Sequence, residues 1–441
     1  VYGVTIPGLP GIVIGFNRDV AWTFTNTGAD VMDFWAEEVD DDVRPTRYRL
    51  DGQWRALETR VETYRGKDGE IVGVDTLRFT HRGPLRRDST FGGGRWVSMR
   101  WTVLEATDNL GAFRDAARAT TARQFLDAMA RDYRAPAQNM LVADRAGSIG
   151  IRSTGAYPIR AGDGSGLVVR DGRSRASDWQ GTLPVERWPQ AIDPAQGFLA
   201  SANQQPIDPV ATRDYWGGSY EAWRALQVNA RLRRDSSVTV DDMRRLQTDP
   251  GSERAALFTG RFHAAAERVA ARGGADAARL RDAAAFLAAW DFRSDTASTR
   301  PLLFEPAMRH LADRTWDELV DLAQPTLPPN DELGLPVRPR RVATPNSALL
   351  LALDSASVWW DDRRTPGRVE SRDDVYAAAL VAAWDELIAR RGPPGAAAWR
   401  WARRQGHDVN HLLRLPALSR RHLVTPGGTG TLSPMFGAGT H

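Results

Sequence analysis

The order of residue patterns along the 441 residues constrains the fold most, because strand-like and helix-like stretches are kept apart. Residues 13–25 are rich in β-branched and aromatic side chains broken by Gly and Asn. Residues 48–86 alternate in short runs around Asp51-Gly52 and Asp68-Gly69, dipeptides suited to tight hairpins. A helical stretch rich in Ala, Arg and Leu follows at 110–131, and strand-like pieces return at 140–143 and 149–153 around Gly147. Residues 159–206 are irregular and rich in Gly, Asp, Arg and Pro; loops of that length are often functional. From Thr239 the chain turns helical. Thr239-x-x-Asp242 is a capping-box start, 255–272 and 275–290 read as helices, and Ser371-x-x-Asp374 opens another. That last helix carries Tyr376, Leu380, Trp384, Leu387 and Ile388 at helical spacing and ends at Gly392-Pro393-Pro394. Strands first and helices later predict a layered α+β protein.

The expected organisation is a β-rich part over 1–235, a helical region over 236–325, a Pro-rich connector over 326–345, and a helical segment over 346–441 that returns to the core. Val1 opens inside a strand-rich stretch without an initiator Met, and His441 follows a Gly-rich one, so the sequence is expected to be incomplete at both ends.

Composition then removes whole chemistries. There is no Cys, which excludes disulfides, iron–sulfur clusters, Cys-ligated zinc and a Cys nucleophile. Lys and Arg total 58 against 55 Asp and Glu, and Lys67 is the only Lys. Small basic groups such as Arg338, Arg340 and Arg341 are scattered rather than gathered on one face, so a nucleic-acid partner is not expected. No run reaches the about 20 apolar residues of a membrane span; the longest, 348–353, reads as core. P-loop, HExxH, GxSxG and Rossmann glycine patterns are absent. Gly427-Gly428-Thr429-Gly430 reads as a turn. His407 and His411 share an i,i+4 spacing that could bind a metal on a helix, but no acidic partner completes a site, and they read as a structural pair. Gly162-Asp163-Gly164-Ser165-Gly166 has the look of a calcium-loop fragment but lacks the other acidic ligands.

A longer series of segments carries the functional expectation. Pro7-Gly8-Leu9-Pro10-Gly11-Ile12-Val13-Ile14-Gly15-Phe16-Asn17 is followed by Val20-Ala21-Trp22, Thr25-Asn26-Thr27, Asp30-Val31-Met32-Asp33 and Glu37. Thr80-His81-Arg82-Gly83-Pro84, Ala143-Asp144, Gly155-Ala156-Tyr157-Pro158-Ile159-Arg160, Asp178-Trp179-Gln180-Gly181 and Gly197-Phe198-Leu199-Ala200-Ser201-Ala202-Asn203 continue it. Arg224, Leu246-Gln247-Thr248-Asp249, Trp290-Asp291, Trp359-Trp360-Asp361-Asp362 and Gly427-Gly428 complete it. In this order the segments closely resemble the second chain of the penicillin acylase family, N-terminal nucleophile hydrolases.

The resemblance implies a four-layer αββα sandwich with an added helical region. It implies a precursor that cuts itself, so that a Ser opens the second chain as nucleophile with its own α-amine as base. That Ser would lie upstream of Val1, and a fragment without it is expected to be inactive by itself. Asn203 falls on the family's oxyanion-hole Asn and Asn26 on the residue whose backbone N–H is the second donor. Arg224 falls on an Arg near the Asn and the substrate. Asp30, Met32 through its carbonyl, Asp33 and Asp214 match the calcium segment, with a loop carbonyl near Ser165 as a further ligand. Ile14, Phe113 and Gln138 fall near the acyl pocket. The expected activity is hydrolysis of an N-acyl amide, such as a β-lactam side chain or an acyl-homoserine lactone, by a periplasmic enzyme paired with its α chain and holding structural calcium. The alternative is a non-catalytic calcium-stabilised homologue that binds an acyl ligand or a partner.

Overall fold

The computed structural model describes residues 1–441 apart from 7, 89–93, 106, 163, 209–216, 218–219, 320–353, 396, 404–406, 412 and 434–441. Asp214, the connector 326–345 and the apolar run 348–353 therefore lie outside the described residues. The chain divides into one compact unit over Val1–Tyr220 and a second that begins at Glu221.

The first unit carries β1 (Tyr2–Val4), β2 (Ile14–Phe16), β3 (Val20–Asn26), β4 (Met32–Ala36), β5 (Arg47–Leu50), β6 (Gln53–Ala56) and β7 (Glu58–Arg65). After them come β8 (Ile71–Thr80), β9 (Gly83–Asp88), β10 (Arg95–Trp101), β11 (Gln138–Asp144), β12 (Ile149–Thr154), β13 (Arg170–Asp171) and β14 (Gln190–Ile192). One antiparallel sheet runs β1-β2-β3-β11-β12-β14. Its strands alternate, with Val20 and Trp22 buried and Ala21 and Thr23 exposed on β3. The buried face packs with Met140 and Val142 against Phe113, Phe125, Leu126 and Met129.

Those last four residues sit on α1 (Asn109–Ala116) and α2 (Ala122–Asp132), where the sequence predicts one helix over 110–131. The break lies at Thr120-Thr121. Thr121 is extended, and its hydroxyl accepts from the Gln124 N–H at 3.2 Å. A Thr prefers such a cap to a helix interior, because its hydroxyl competes for backbone groups.

The second sheet runs β13-β4-β10-β9-β8-β7, antiparallel except that β13 joins β4 in parallel. Along β4 the inward positions are Asp33 and Trp35, and the next in phase is Glu37, so this buried face carries acid, tryptophan, acid. Buried charge requires partners, and the irregular stretch after Tyr157 supplies them. That stretch is not bare loop: it holds β13, β14 and two short 3₁₀ turns, and Tyr157, Arg160, Trp179, Leu183 and Trp188 are buried.

The second unit is helical: α3 (Trp223–Arg234), α4 (Val240–Gln247), α5 (Glu253–Ala270), α6 (Ala277–Ala288), α7 (Pro301–Thr315) and α8 (Arg372–Arg391). Thr239/Asp242 and Ser371/Asp374 form reciprocal capping boxes at α4 and α8 as predicted. Tyr376, Leu380, Trp384 and Leu387 of α8 are buried with Phe258, Phe262 and Phe304. α7 falls within the helical region expected over 236–325 but is not marked there as a separate helix: Pro301 suits its first turn, whereas Pro306 breaks the pattern inside it. His407 lies in β15 (His407–Val409), which pairs with β16 (Arg420–Leu423), so the i,i+4 spacing of His407 and His411 does not put them on one helix face. Among the described residues no helix is long and apolar enough to cross a membrane.

Candidate active site

Asn203 lies in the turn after β14 with its backbone in the left-handed region, φ 62°, a conformation Asn tolerates better than most residues. The Gln204 side chain fastens that turn, accepting from the Ala202 N–H at 2.7 Å and donating to the Ala200 carbonyl at 3.0 Å. The Asn203 side-chain amide donates to the carbonyl of Asn26 at 2.9 Å. Asn26 ends β3, and its side-chain oxygen accepts from Gln138 Nε2 at 2.9 Å. The two residues expected to hold an oxyanion therefore meet although 177 positions apart.

Beneath them lies a polar cluster that the sequence reading missed. Asn139 and Ser153 are buried, and Ser153 Oγ donates to Asn139 Oδ1 at 2.6 Å. Asn139 Nδ2 faces Ser201 Oγ at 3.2 Å, Thr25 Oγ1 at 3.3 Å and the Asn26 carbonyl at 3.4 Å. The Thr25 and Ser201 hydroxyls are 2.5 Å apart. The one signal in the sequence is an Asn at the head of the apolar run 140–143.

Phe113 stacks on Phe24 with centroids 5.8 Å apart and meets the edge of Tyr133 at 5.9 Å. Burial holds the Tyr133 phenol well above the ordinary tyrosine range. Phe113 and Gln138 thus flank the Phe24–Asn26 end of β3. Ile14 lies elsewhere. Gly15 pairs with Trp22 and shares its face, which places the half-exposed Ile14 on the opposite face of the sheet. Arg224 sits in the first turn of α3 in the second unit, its Nε 3.9 Å from the Glu221 carboxylate.

Asp30 and Asp33 share the buried guanidinium of Arg160. Its Nε donates to Asp33 Oδ2 at 2.7 Å, and its Nη2 to Asp30 Oδ1 at 3.1 Å and the Asp30 carbonyl at 3.0 Å. The Trp179 indole N–H also donates to Asp33 Oδ2. Gly166 N–H donates to Asp30 Oδ2 at 2.9 Å. A Cβ on Gly166 would lie 2.4 Å from Asp33 Oδ1 and 2.5 Å from Asp30 Oδ2, so both carboxylates converge on this glycine. Asp33 Oδ1 is buried and accepts no hydrogen bond from the described residues; Arg170 Nε stands 3.9 Å from it. Burial raises the Asp30 carboxyl above the usual range; Arg160 opposes this and Asp33 adds to it. Convergent carboxylate oxygens, one without a partner, fit a hard cation such as calcium. Among the described residues no three acidic or histidine side chains gather as a metal cluster, and the Ser165 carbonyl accepts from Arg170.

A second buried ionic group joins three of the matched segments. Arg82 donates to Glu37 Oε1 at 2.8 Å and Asp178 Oδ1 at 2.6 Å, and His81 Nε2 lies 2.9 Å from Asp178 Oδ2. Burial pushes the Glu37 carboxyl up against the pull of Arg82 and Ser98.

A family model described as penicillin amidase matches residues 1–440, and the chain belongs to that family. Acyl-homoserine lactone acylase QuiP of Pseudomonas syringae is 29% identical over 415 residues, 91% of this chain and 48% of that protein. QuiP of Pseudomonas aeruginosa is 30% identical over 428 residues, again 91% and 48%. Penicillin G acylase of Escherichia coli is 29% identical over 245 residues, 55% of this chain and 28% of that protein. The chain spans about half the length of the QuiP relatives it matches. In fold it matches the thermostable penicillin G acylase from Alcaligenes faecalis with TM-score 0.65 at 21% identity, covering 90% of this chain and 72% of that one. The fold is thus the N-terminal nucleophile hydrolase fold that the sequence predicts.

Proposed function

We propose that this chain is the larger part of the second chain of an amidohydrolase that cleaves N-acyl amides, its nucleophile being an N-terminal Ser contributed by residues preceding Val1 in the parent protein. The Ser hydroxyl attacks the amide carbonyl carbon while its proton passes to the Ser α-amine, whose ordinary pKa of about 7.7–8 suits a base near neutrality. The carbonyl oxygen becomes an oxyanion held by the Asn26 N–H and the Asn203 amide. The C–N bond then breaks as the leaving amine takes the proton, and water hydrolyses the resulting ester to release the acid. The observation that carries this reading is the Asn203 amide, fastened at 2.9 Å to the end of β3 in a turn held by Gln204.

Acyl-homoserine lactones and penicillin-type amides are the substrate classes that the relatives' names suggest. Phe24, Phe113 and Gln138 are the side chains in reach of an acyl group there. The α chain of the same precursor is the proposed partner, and the periplasm the proposed compartment. Asp30, Asp33, Asp214 and the Met32 carbonyl are the proposed calcium ligands. Bound calcium would neutralise the two buried aspartates and tie down the loop after β3. The orphaned Asp33 Oδ1 supports this.

The test is to express the parent protein with the residues upstream of Val1 and determine the N-terminus of its second chain. Release of amine from N-acyl homoserine lactones and from penicillin G is then followed. A Ser at that N-terminus and turnover that falls about 10²–10³-fold in Asn203→Ala are expected. A processed chain without Ser, Thr or Cys first, or an Asn203→Ala variant at full turnover, would overturn the proposal.

A further inference from the structure

We propose that Asn139 is a positioning residue for the two oxyanion donors, acting through Asn26 and Asn203 without touching substrate. The inference rests on the reading above. It starts from a change of character along one sheet face: Leu141 and Ala143 follow Asn139 on β11 and Ile149 and Ile151 stand across on β12, but at Asn139 the face turns polar, with Thr25 opposite on β3 and Ser153 opposite on β12. Asn is disfavoured in strands, and a buried amide destabilises unless its groups are paired. An aliphatic side chain would serve packing better.

What the amide does is join three segments. Its oxygen is anchored on β12 by the buried Ser153 hydroxyl at 2.6 Å. Its nitrogen reaches the turn at Ser201 Oγ, 3.2 Å, and β3 at Thr25 Oγ1, 3.3 Å, and the Asn26 carbonyl, 3.4 Å. Thr25 precedes the Asn26 N–H and the Asn26 carbonyl follows it, so Asn139 holds the strand on both sides of that donor. Ser201 lies two residues before Asn203, and its hydroxyl is closed onto Thr25 at 2.5 Å. The Asn26 carbonyl thus accepts from both Asn203 and Asn139. One buried side chain sets the position of the β3 end relative to the 200–204 turn, and with it the spacing of the two donors. A fully satisfied network of this kind has one low-energy arrangement, which is what donors aimed at a transient charge require.

The experiment uses the processed full-length enzyme. Asn139→Leu and Ser201→Ala are made alone and in combination with Asn203→Ala. kcat and KM are measured separately per titrated active site, and melting temperature is recorded. Asn139→Leu is expected to lower kcat about 10–100-fold, the scale of a displaced catalytic group, with KM changed less than about threefold. In the Asn203→Ala background the same substitution should have little further effect, because residues acting through one another are not additive. Ser201→Ala should show the same pattern more weakly, and it carries the test if Asn139→Leu does not fold. Unchanged kcat per active site with only a lower melting temperature, or losses that multiply in the double variant, would overturn the inference. Full turnover of Asn203→Ala alone would instead remove the oxyanion reading beneath it, so the two failures are distinguishable.

Discussion

Gly166 shows how one missing side chain lets two carboxylates pack against the backbone. A Cβ there would lie within 2.6 Å of three carboxylate oxygens of Asp30 and Asp33. Gly166→Ala should therefore destabilise the protein by about 1–3 kcal/mol, as overpacking does. With calcium at the site, a chelator should lower the melting temperature of the parent and leave that of Gly166→Ala unchanged; thermal unfolding with and without chelator checks both. Arg82 tests the neighbouring ionic group, since its guanidinium and the Glu37 carboxylate are almost wholly shielded from water. Arg82→Met should destabilise by about 3–5 kcal/mol in urea unfolding, because it leaves a buried carboxylate uncompensated. Adding Glu37→Gln should recover part of that loss. At this scale legibility was uneven. Asn26, Asn203, Asp30 and Asp33 could be marked because each sits in a recognisable segment. Asn139 could not, because its role depends on Thr25, Ser153 and Ser201, which only the fold brings together.

Elements were legible where their ends carry local chemistry. Asp51-Gly52, with φ of 49° and 77°, closes the two-residue hairpin between β5 and β6, and both capping boxes stand at their predicted helices. The single predicted helix over 110–131 failed because its composition is uniformly helical on both sides of a cap formed by one hydroxyl. Thr121→Ala should destabilise the first unit by about 1 kcal/mol, the usual worth of an N-cap, and equilibrium unfolding would measure it. The stretch after Tyr157 was unreadable for a different reason. Its order comes from side chains such as Arg160 and Trp179 reaching the distant Asp33, not from any backbone period.

For the whole molecule, stability against acid is set by carboxylates that pull in opposite directions. Burial raises Asp178, but hydrogen bonds from His81 and Arg82 outweigh it and hold the carboxyl below its ordinary value. A carboxylate lowered in the folded state stabilises above its unfolded value, here near 3.8, and loses that contribution as pH falls through the folded one. The melting-temperature advantage of the parent over Asp178→Asn should therefore be full at neutral pH and shrink progressively below about pH 3.8. Asp30 and Glu37 run the other way: both are raised, so their proton-linked contribution is greatest in acid and declines as pH climbs through their folded values.

The acid–tryptophan–acid face of β4 also has a consequence in time. Its seal comes from a segment far along the chain, since Asp33 and Arg160 are 127 positions apart and Asp33 and Trp179 are 146 apart. Closing so long a loop is slow relative to pairing neighbouring hairpins. Strands β7 to β9 can zip from local turns while Asp33 and Glu37 remain hydrated. The arrival of Arg160, Trp179 and Arg82's partner Asp178 would then dehydrate the face in a late step. Amide protons around Trp35 would gain protection from exchange after those of the β7–β8 hairpin, so the same residues that neutralise the site also date its completion.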